Sequence, residues 1–242
     1  IRTRRGEISV EAKNITLLTK AIRPLPDKWH GLQDQELRFR QRYLDLISNE
    51  KAMQNALLRS KVVRSMRDFM HARGFIEVET PILVPVAAGA QATPFATHHN
   101  QLNRDLYLRI ATELYLKKLI VGGIERVFEI GRLFRNEGLD HDHNPEFTTI
   151  ESYQAYADYN DVMCMVEEMI AQIAQDTTGS MILPAISEKR PEINLTPPWP
   201  RLDLRSEIIQ RTGIDFVETR DIESLSKGMQ ESGIHVEPGS DW

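Results

Sequence analysis

Two strand-like segments with a long polar loop between them constrain the fold of this chain most. Residues 126–135 and 147–156 are rich in β-branched and aromatic side chains, whereas the eleven residues 136–146 are polar and include Gly138 and Pro145. Adjacent strands joined by one loop favour antiparallel pairing. This loop is longer than a hairpin requires, and such loops commonly carry function. We therefore predict an antiparallel pair with a functional loop at one end.

Helical patterns precede and follow the strand pair. Apolar residues recur every three or four positions over residues 51–73, where the pattern ends at Gly74, and again over residues 161–176. This spacing predicts amphipathic helices, and we expect the apolar face of the first, including Ala56 and Leu57, to be buried. Together the patterns predict an α+β fold in which a mainly antiparallel sheet is flanked by helices.

Composition divides the chain into four parts. Residues 1–22 contain two strand-like segments, too few to bury a sheet face alone, and are predicted to end a small β-domain. Residues 23–50 are a proline-marked linker followed by a charged helix over 34–46. Residues 51–177 form the predicted core, and residues 178–242, which open on a proline-rich stretch, are predicted to begin an inserted subdomain. Because the chain starts without methionine and stops soon after a helix-like segment, we expect a fragment.

Charge and cysteine content exclude several classes of protein. The formal net charge of −5 argues against affinity that rests mainly on phosphate neutralisation, so any nucleic-acid contact must be local. The single cysteine, Cys164, excludes an internal disulfide framework. No apolar run approaches the roughly 20 residues that a membrane-spanning helix needs. We therefore expect a cytoplasmic protein with no membrane partner.

One face of the second strand carries the side chains best suited to chemistry. Because side chains alternate along a strand, Phe147, Glu151 and Tyr153 share a face. Glu129 and Arg135 of the first strand can point the same way. A guanidinium binds phosphate or carboxylate, and a carboxylate binds an ammonium, so the pattern predicts a cleft that holds a polyanion beside a cation. The alternative is a solvated sheet face with a cross-strand ion pair.

Two isolated residues each have two interpretations. Glu113 lies in the first turn of a short predicted helix capped by Thr112, and it is either a site carboxylate or a residue favoured by the helix dipole alone. Gly89 is either a flexible loop glycine or a point where the backbone approaches a ligand.

The histidine clusters raise a metal hypothesis, which we reject. The clusters are residues 98–99 and 141–143. Neither has the fixed ligand spacing of a zinc site, and cysteine is absent from both. We predict no metal ligand among them.

Several stretches resemble the signature motifs of the class II lysyl-tRNA synthetases. Residues 74–81, 134–138 and 143–148 are similar to motifs 1 and 2 of class II. Sequences typical of the lysyl enzymes are found at residues 23–31, 42–46, 109–115 and 156–159. The resemblance covers residues 1–175 closely. It implies a class II catalytic core preceded by the C-terminal end of an OB-fold barrel that binds the anticodon.

The resemblance also implies a reaction and the residues that perform it. The family activates lysine with ATP and transfers it to tRNA(Lys), and Arg135 would be catalytic because it contacts the α-phosphate and the lysine carboxylate. The residues that would bind ATP are Arg135, Glu137, His143, Asn144 and Phe147, the last by stacking on adenine. The residues that would bind lysine are Gly89, Glu113, Arg135, Glu151 and Tyr153. Mg²⁺ would accompany ATP on carboxylates beyond this sequence, and residues 51–81 would form a homodimer interface.

Three rival functions stay open at this point. The first is a synthetase-like paralogue that attaches an amino acid to a protein lysine, against which the N-terminal strand-like segments argue. The second is a non-catalytic dimerisation module, against which the intact ATP motif argues. The third is the aspartate or asparagine enzyme, for which two pocket glutamates would be repulsive or superfluous. Since motif 3 is absent from residues 1–242, we expect this chain alone not to charge tRNA at a normal rate.

Overall fold

The computed structural model describes residues 1–27, 30–140 and 142–236. Lys28 and Trp29 of the predicted linker, His141 of the predicted loop and residues 237–242 of the predicted subdomain lie outside the described residues. The chain divides into two compact units, Ile1–Arg64 and Ser65–Trp242.

The regular secondary structure described in the first unit consists of helices in its second half. Helices α1 (Gln35–Arg40) and α2 (Arg42–Ser48) replace the single helix predicted over residues 34–46. The break lies at Gln41, whose ψ of 53° interrupts the helical ladder. The prediction of one continuous helix was therefore wrong at this residue.

Residues 1–27 differ from their predicted structure. Their only described β-interaction is a single bridge between Arg2 and Ile8. The alternating residues Ile8 and Val10 remain 80% and 95% exposed, because no described strand pairs with this segment and no sheet face forms to bury them. The two predicted strands do not form here, and the end of an OB-fold remains a prediction.

The second unit contains the sheets and the remaining helices. Its strands are β1 (Ile76–Glu77), β2 (Leu83–Val84), β3 (Ala96–His99), β4 (Arg104–Leu108), β5 (Arg126–Phe134), β6 (Glu146–Gln154), β7 (Ile182–Leu183) and β8 (Ile193–Asn194). The helices that follow α2 are α3 (Glu50–Ala72), which begins in the first unit, α4 (Glu113–Val121), α5 (Tyr159–Thr178), α6 (Leu204–Thr212) and α7 (Ile222–Glu231). None of the helices in the described part of the chain is long and apolar enough to cross a bilayer.

The central strand pair forms as predicted. Strands β5 and β6 are antiparallel from Arg126 opposite Gln154 to Phe134 opposite Glu146. Strand β1 adds to β5 in parallel, giving the order β1-β5-β6, while β2-β4-β3 and β7-β8 are antiparallel. The mainly antiparallel α+β architecture is therefore confirmed, with one parallel contact that the pattern did not predict.

The core lies between the sheet and two helices. It is centred on buried side chains of α3 (Phe69 and Met70), β5 (Phe128) and α5 (Met169), together with Phe75, which lies between α3 and β1. Helix α3 joins this cluster only through its last turns. The prediction that its whole apolar face is buried was wrong, because Ala56 is exposed and Leu57 is 57% exposed.

Candidate functional site

The register of β5 and β6 decides which side chains share the outer face of the sheet. Glu129 lies opposite Glu151, and Leu133 lies opposite Phe147. Phe128, on the other face, packs in the core. The alternation predicted from the sequence therefore agrees with the structure: Phe147, Glu151 and Tyr153 line the face that the core does not cover.

The five residues predicted to bind ATP lie together at the end of this strand pair where the loop joins β5 to β6. They line a cavity of about 470 Å³ with three further residues of the loop, and the full lining is Arg135, Glu137, Gly138, Asp140, Asp142, His143, Asn144 and Phe147. Small-molecule pockets commonly measure about 300–1,000 Å³. The cavity can therefore hold a ligand of nucleotide size in part or whole.

Arg135 is the cation of the cavity. Its backbone N–H donates to the carbonyl of Pro145 at 2.9 Å, and its guanidinium carbon lies 5.2 Å from the centre of the Phe147 ring. Its Nε is buried and has no hydrogen-bond partner among the described residues. An unpaired buried donor costs about 1–3 kcal/mol, so a ligand oxygen that accepted this hydrogen bond would be favoured.

Carboxylates organise the loop around the cavity. Asp140 accepts hydrogen bonds from the backbone N–H groups of Asp142 and His143 at 2.7 and 2.8 Å, and one of its oxygens lies 2.7 Å from Nδ1 of His143. The hydrogen bond from the Asp142 backbone, followed by that from the His143 ring, lowers the pKa of Asp140. Glu137 accepts from the backbone N–H of Thr93 at 3.2 Å. The loop is thus tied both to itself and to the segment after β2.

A second cluster lies further along the same face of β6. Oε1 of Glu151 accepts from the backbone N–H of Thr112 at 3.2 Å. The pKa of Tyr153 rises from its ordinary value of 10.0 to about 12, first because the phenol is desolvated, then because of the charges of Glu151 and Glu113 and a hydrogen bond to Glu151. These three side chains therefore form one acidic group that favours a cation.

A lysine of this chain already contacts that acidic cluster. Nζ of Lys117 lies 2.6 Å from Oε1 of Glu113, one turn away on α4, and 5.7 Å from the centre of the Tyr153 ring. A primary ammonium therefore fits beside the carboxylate and the phenol.

Gly89 lies against the second cluster with no room for a side chain. Its φ is +94°, and an added Cβ would lie 2.9 Å from Cβ of Ala111 and 3.2 Å from Cβ of Glu113. Of the two interpretations offered by the sequence, close approach of the backbone is the one observed.

Thr112 differs from its predicted role as a helix cap. It precedes α4, but its backbone is helical (φ −99°, ψ −9°) and its side chain makes no capping bond. A capping side chain needs an extended backbone to reach the N–H groups of the first turn. Its backbone N–H binds Glu151 instead, and its Oγ1 is buried without a partner among the described residues.

The sequence analysis assigned no role in the site to Arg109. Nη1 of Arg109 lies 2.5 Å from Oε1 of Glu129, and the two side chains are 3% and 4% exposed. The pattern placed Glu129 on the correct face. The alternative of a solvated face with a cross-strand ion pair was wrong for this residue, because Glu129 is buried and its ionic partner, Arg109, directly follows β4. An arginine within the otherwise apolar run 106–110 was the available signal.

Comparison with known proteins identifies the family. The sequence pattern described as "tRNA synthetases class II (D, K and N)" matches residues 34–233. The chain belongs to this family.

Three similar synthetases are each named lysine-tRNA ligase. The chain is 53% identical over 242 residues to the one from Dehalococcoides mccartyi (strain ATCC BAA-2100 / JCM 16839 / KCTC 5957 / BAV1), covering 100% of this chain and 48% of the relative. It is 51% identical over 238 residues to the one from Moorella thermoacetica, covering 98% of this chain and 48% of the relative. It is 50% identical over 236 residues to the one from Thermotoga maritima, covering 98% of this chain and 46% of the relative. The chain thus spans about half the length of the curated relatives it matches. The resemblance to lysyl-tRNA synthetases is confirmed.

The histidine clusters of this synthetase have other partners. His98 lies 2.7 Å from Asp105, and Nδ1 of His99 accepts from the backbone N–H of Leu102 at 3.2 Å. His143 contacts Asp140, and His141 lies outside the described residues. Within residues 1–27, 30–140 and 142–236, no group of three or more histidine, cysteine or acidic side chains is arranged to hold a metal ion. The described residues therefore offer no fitted site for Mg²⁺.

If the cluster beside Gly89 binds lysine, as the resemblance implies, Gly89→Ala is expected to weaken that binding about tenfold, because the new methyl group must displace Ala111 or Glu113. Gly123→Ala is the matched control, since Gly123 has a φ of +98° but no atom within 4 Å of an added Cβ. Both variants carry the same backbone strain, and isothermal titration with lysine separates that strain from the contact. Equal losses of lysine affinity in the two variants would contradict this assignment.

Proposed function

We propose that this chain carries the ATP- and lysine-binding part of a lysine-tRNA ligase. The ligase would condense lysine with ATP to lysyl-adenylate and then transfer the lysyl group to tRNA(Lys). The observation that carries the proposal is the position of the Arg135 cavity and the Glu113, Glu151 and Tyr153 cluster on one face of β5 and β6. The names of the relatives support the choice of lysine over aspartate or asparagine.

On the ATP side, the proposal gives Arg135 the central role. Its guanidinium offers a planar fork of donors to the α-phosphate, and the unpaired Nε supports such a contact. Phe147 offers a ring face for adenine, which is a contact that needs no base-specific hydrogen bond. Glu137, His143 and Asn144 complete the ATP site from the loop.

On the lysine side, the acidic cluster selects a cationic substrate. Glu113 and Glu151 each offer a carboxylate to an ammonium group, and Gly89 lets the backbone approach Glu113 closely. The contact between Lys117 and Glu113 supports this role, because it is the same ammonium–carboxylate chemistry. Aspartate or asparagine would find no favourable partner for its side chain here.

The proposed reaction needs no covalent enzyme intermediate. A carboxylate oxygen of lysine forms a bond to the α-phosphorus as the bond to pyrophosphate breaks, and a terminal ribose hydroxyl of tRNA then attacks the lysyl carbonyl and releases AMP. Arg135 would orient the two reacting groups and stabilise the negative charge that concentrates between them. Because no described cluster fits Mg²⁺, no step is assigned to that ion.

Several further properties belong to the same proposal. Residues 51–81 would form a homodimer interface, which is supported by the exposure of Met53 (40%) and Leu57 (57%) on α3. Residues 1–22 would end an anticodon-binding OB-fold, residues 23–50 would link it to the core of 51–177, and residues 178–242 would begin an inserted subdomain. Function in translation would place the protein in the cytoplasm.

An amino-acid screen of the full-length protein tests the function. Each of the twenty amino acids is supplied with ATP, and pyrophosphate exchange is measured. We expect lysine to exceed every other amino acid by about 100-fold or more, as expected for a site that pairs its own negative charge with the charge of the substrate. Exchange driven best by another amino acid would overturn the lysine assignment. Exchange with lysine but no acylation of tRNA(Lys) would favour the protein-modifying paralogue, and no ATP binding would favour the dimerisation module.

A further inference from the structure

A buried network around Arg109 joins three separate segments of the second unit. Nη1 of Arg109 binds Oε1 of Glu129 at 2.5 Å and also donates to the carbonyl and hydroxyl oxygens of Thr80, each at 3.0 Å. Its Nε donates to the carbonyl of Arg132 at 2.9 Å. The hydroxyl and the backbone N–H of Thr80 donate to the second oxygen of Glu129 at 2.6 and 3.2 Å. The end of β4, the segment after β1 and the middle of β5 are thereby locked together.

The backbone of Arg109 extends this network to both halves of the proposed site. Its carbonyl accepts from the N–H of Phe134 at 3.1 Å, immediately before Arg135. In the other direction the chain runs from Arg109 to Thr112, which binds Glu151, and to Glu113 at the start of α4. One residue therefore connects the strand end that carries the α-phosphate arginine with the segment that carries the lysine carboxylate.

Three points indicate that this pair is more than a source of stability. A buried ion pair often contributes little net stability compared with apolar side chains of similar size, because both charges must be desolvated. Glu129 also lies directly opposite Glu151 in the strand register. Pairing with Arg109 neutralises Glu129, so that the charge of Glu151 remains available to a substrate ammonium. Gly131 leaves space for the guanidinium, since a Cβ there would clash with Arg109.

We propose that Arg109 and Glu129 are a positioning pair that sets the distance and direction between Arg135 and the lysine pocket. This inference rests on the proposed function. Neither residue contacts substrate in this role. In-line attack depends on the separation of the two bound substrates, and a misplacement of about 1 Å can lower a rate by about 100-fold. The pair therefore affects the joining of lysine and ATP more than the binding of either one.

The test uses the full-length protein with both charges removed together, as Arg109→Met/Glu129→Met. This double variant leaves no unpaired buried charge. We expect its Kd values for ATP and for lysine to stay within about threefold of wild type, while the single-turnover rate of lysyl-adenylate formation falls at least about tenfold. The matched control is Glu167→Met/Arg201→Met, which removes an ion pair of 2.5 Å with a buried carboxylate outside the site. The control is expected to change the melting temperature without changing either Kd or the rate.

Each outcome decides the proposal. A wild-type rate in the double variant, or a loss of rate matched by the control, would show that the pair is only structural.

If the double variant does not fold, Arg109→Lys replaces it. Lysine keeps the charge beside Glu129 but cannot also hold Thr80 and the Arg132 carbonyl. We expect native melting with a reduced adenylation rate, and an unchanged rate would overturn the inference. A wild-type protein that fails to activate lysine would instead overturn the proposed function itself.

Discussion

Replacing Arg135 by lysine is expected to lower the rate of lysyl-adenylate formation by about 100- to 1,000-fold, the range observed when one preorganised donor to a transition-state charge is lost. Lysine keeps the positive charge but loses the planar fork that binds two oxygens at once. The buried Nε would also be removed, and with it an unpaired hydrogen-bond donor. Single-turnover measurement of adenylate formation checks the result, and the Kd for ATP is measured in parallel.

The control for this substitution lies three residues earlier in the chain, on β5. Arg132 is 54% exposed, and its only described side-chain ion pair is a 3.5 Å contact with Glu146. Arg132→Lys keeps the backbone carbonyl that Arg109 uses, so its adenylation rate should stay within about twofold of wild type, as for most exposed substitutions. Equal rates of lysyl-adenylate formation in the Arg135 and Arg132 variants would show that Arg135 has no role in the reaction.

Glu151→Gln is expected to weaken lysine binding about 100-fold, which corresponds to about 2.7 kcal/mol. The amide preserves the shape of the side chain and can still accept from the N–H of Thr112, but it no longer carries the charge that pairs with an ammonium. ATP affinity should be unchanged, because Glu151 is not among the residues that line the Arg135 cavity. Isothermal titration with each substrate gives both values.

The same variant has a spectroscopic signature in Tyr153. Burial is the first cause of the raised pKa of this phenol, and the negative charge of Glu151 is the second. Removing that charge makes the tyrosinate easier to form, so the pKa should fall below about 12 while burial keeps it above 10.0. Titration of tyrosinate absorbance, compared with Tyr153→Phe to assign the signal, measures the change. The control is Glu125→Gln, because Glu125 is exposed and lies at the other end of the strand pair. This variant should alter neither the pKa of Tyr153 nor the affinity for lysine. A Tyr153 pKa that does not move would show that the two side chains do not interact.

The strand pair was predictable because its information is local. Side chains alternate with a period of two along any strand, so a single antiparallel register is enough to put Phe147, Glu151 and Tyr153 on one face. The loop between the strands could be located for the same reason, since its polar residues interrupt both patterns. Resemblance to a family then assigned expected roles to residues that periodicity could only group together.

Tertiary structure decided the features that depend on contacts between distant segments. The pairing of Arg109 with Glu129, the approach of Gly89 to Glu113 and the use of the Thr112 N–H by Glu151 each join residues that are 20, 24 and 39 positions apart. No periodicity encodes such pairings, because they arise only when packing brings the segments together. Exposure of the first half of α3 has the same origin: a helical pattern shows which face is apolar, whereas only the packed chain shows what covers it. The sequence alone thus determined the central strand pair, the faces of its two strands and the family, and the folded chain decided which charges meet and which remain available to a substrate.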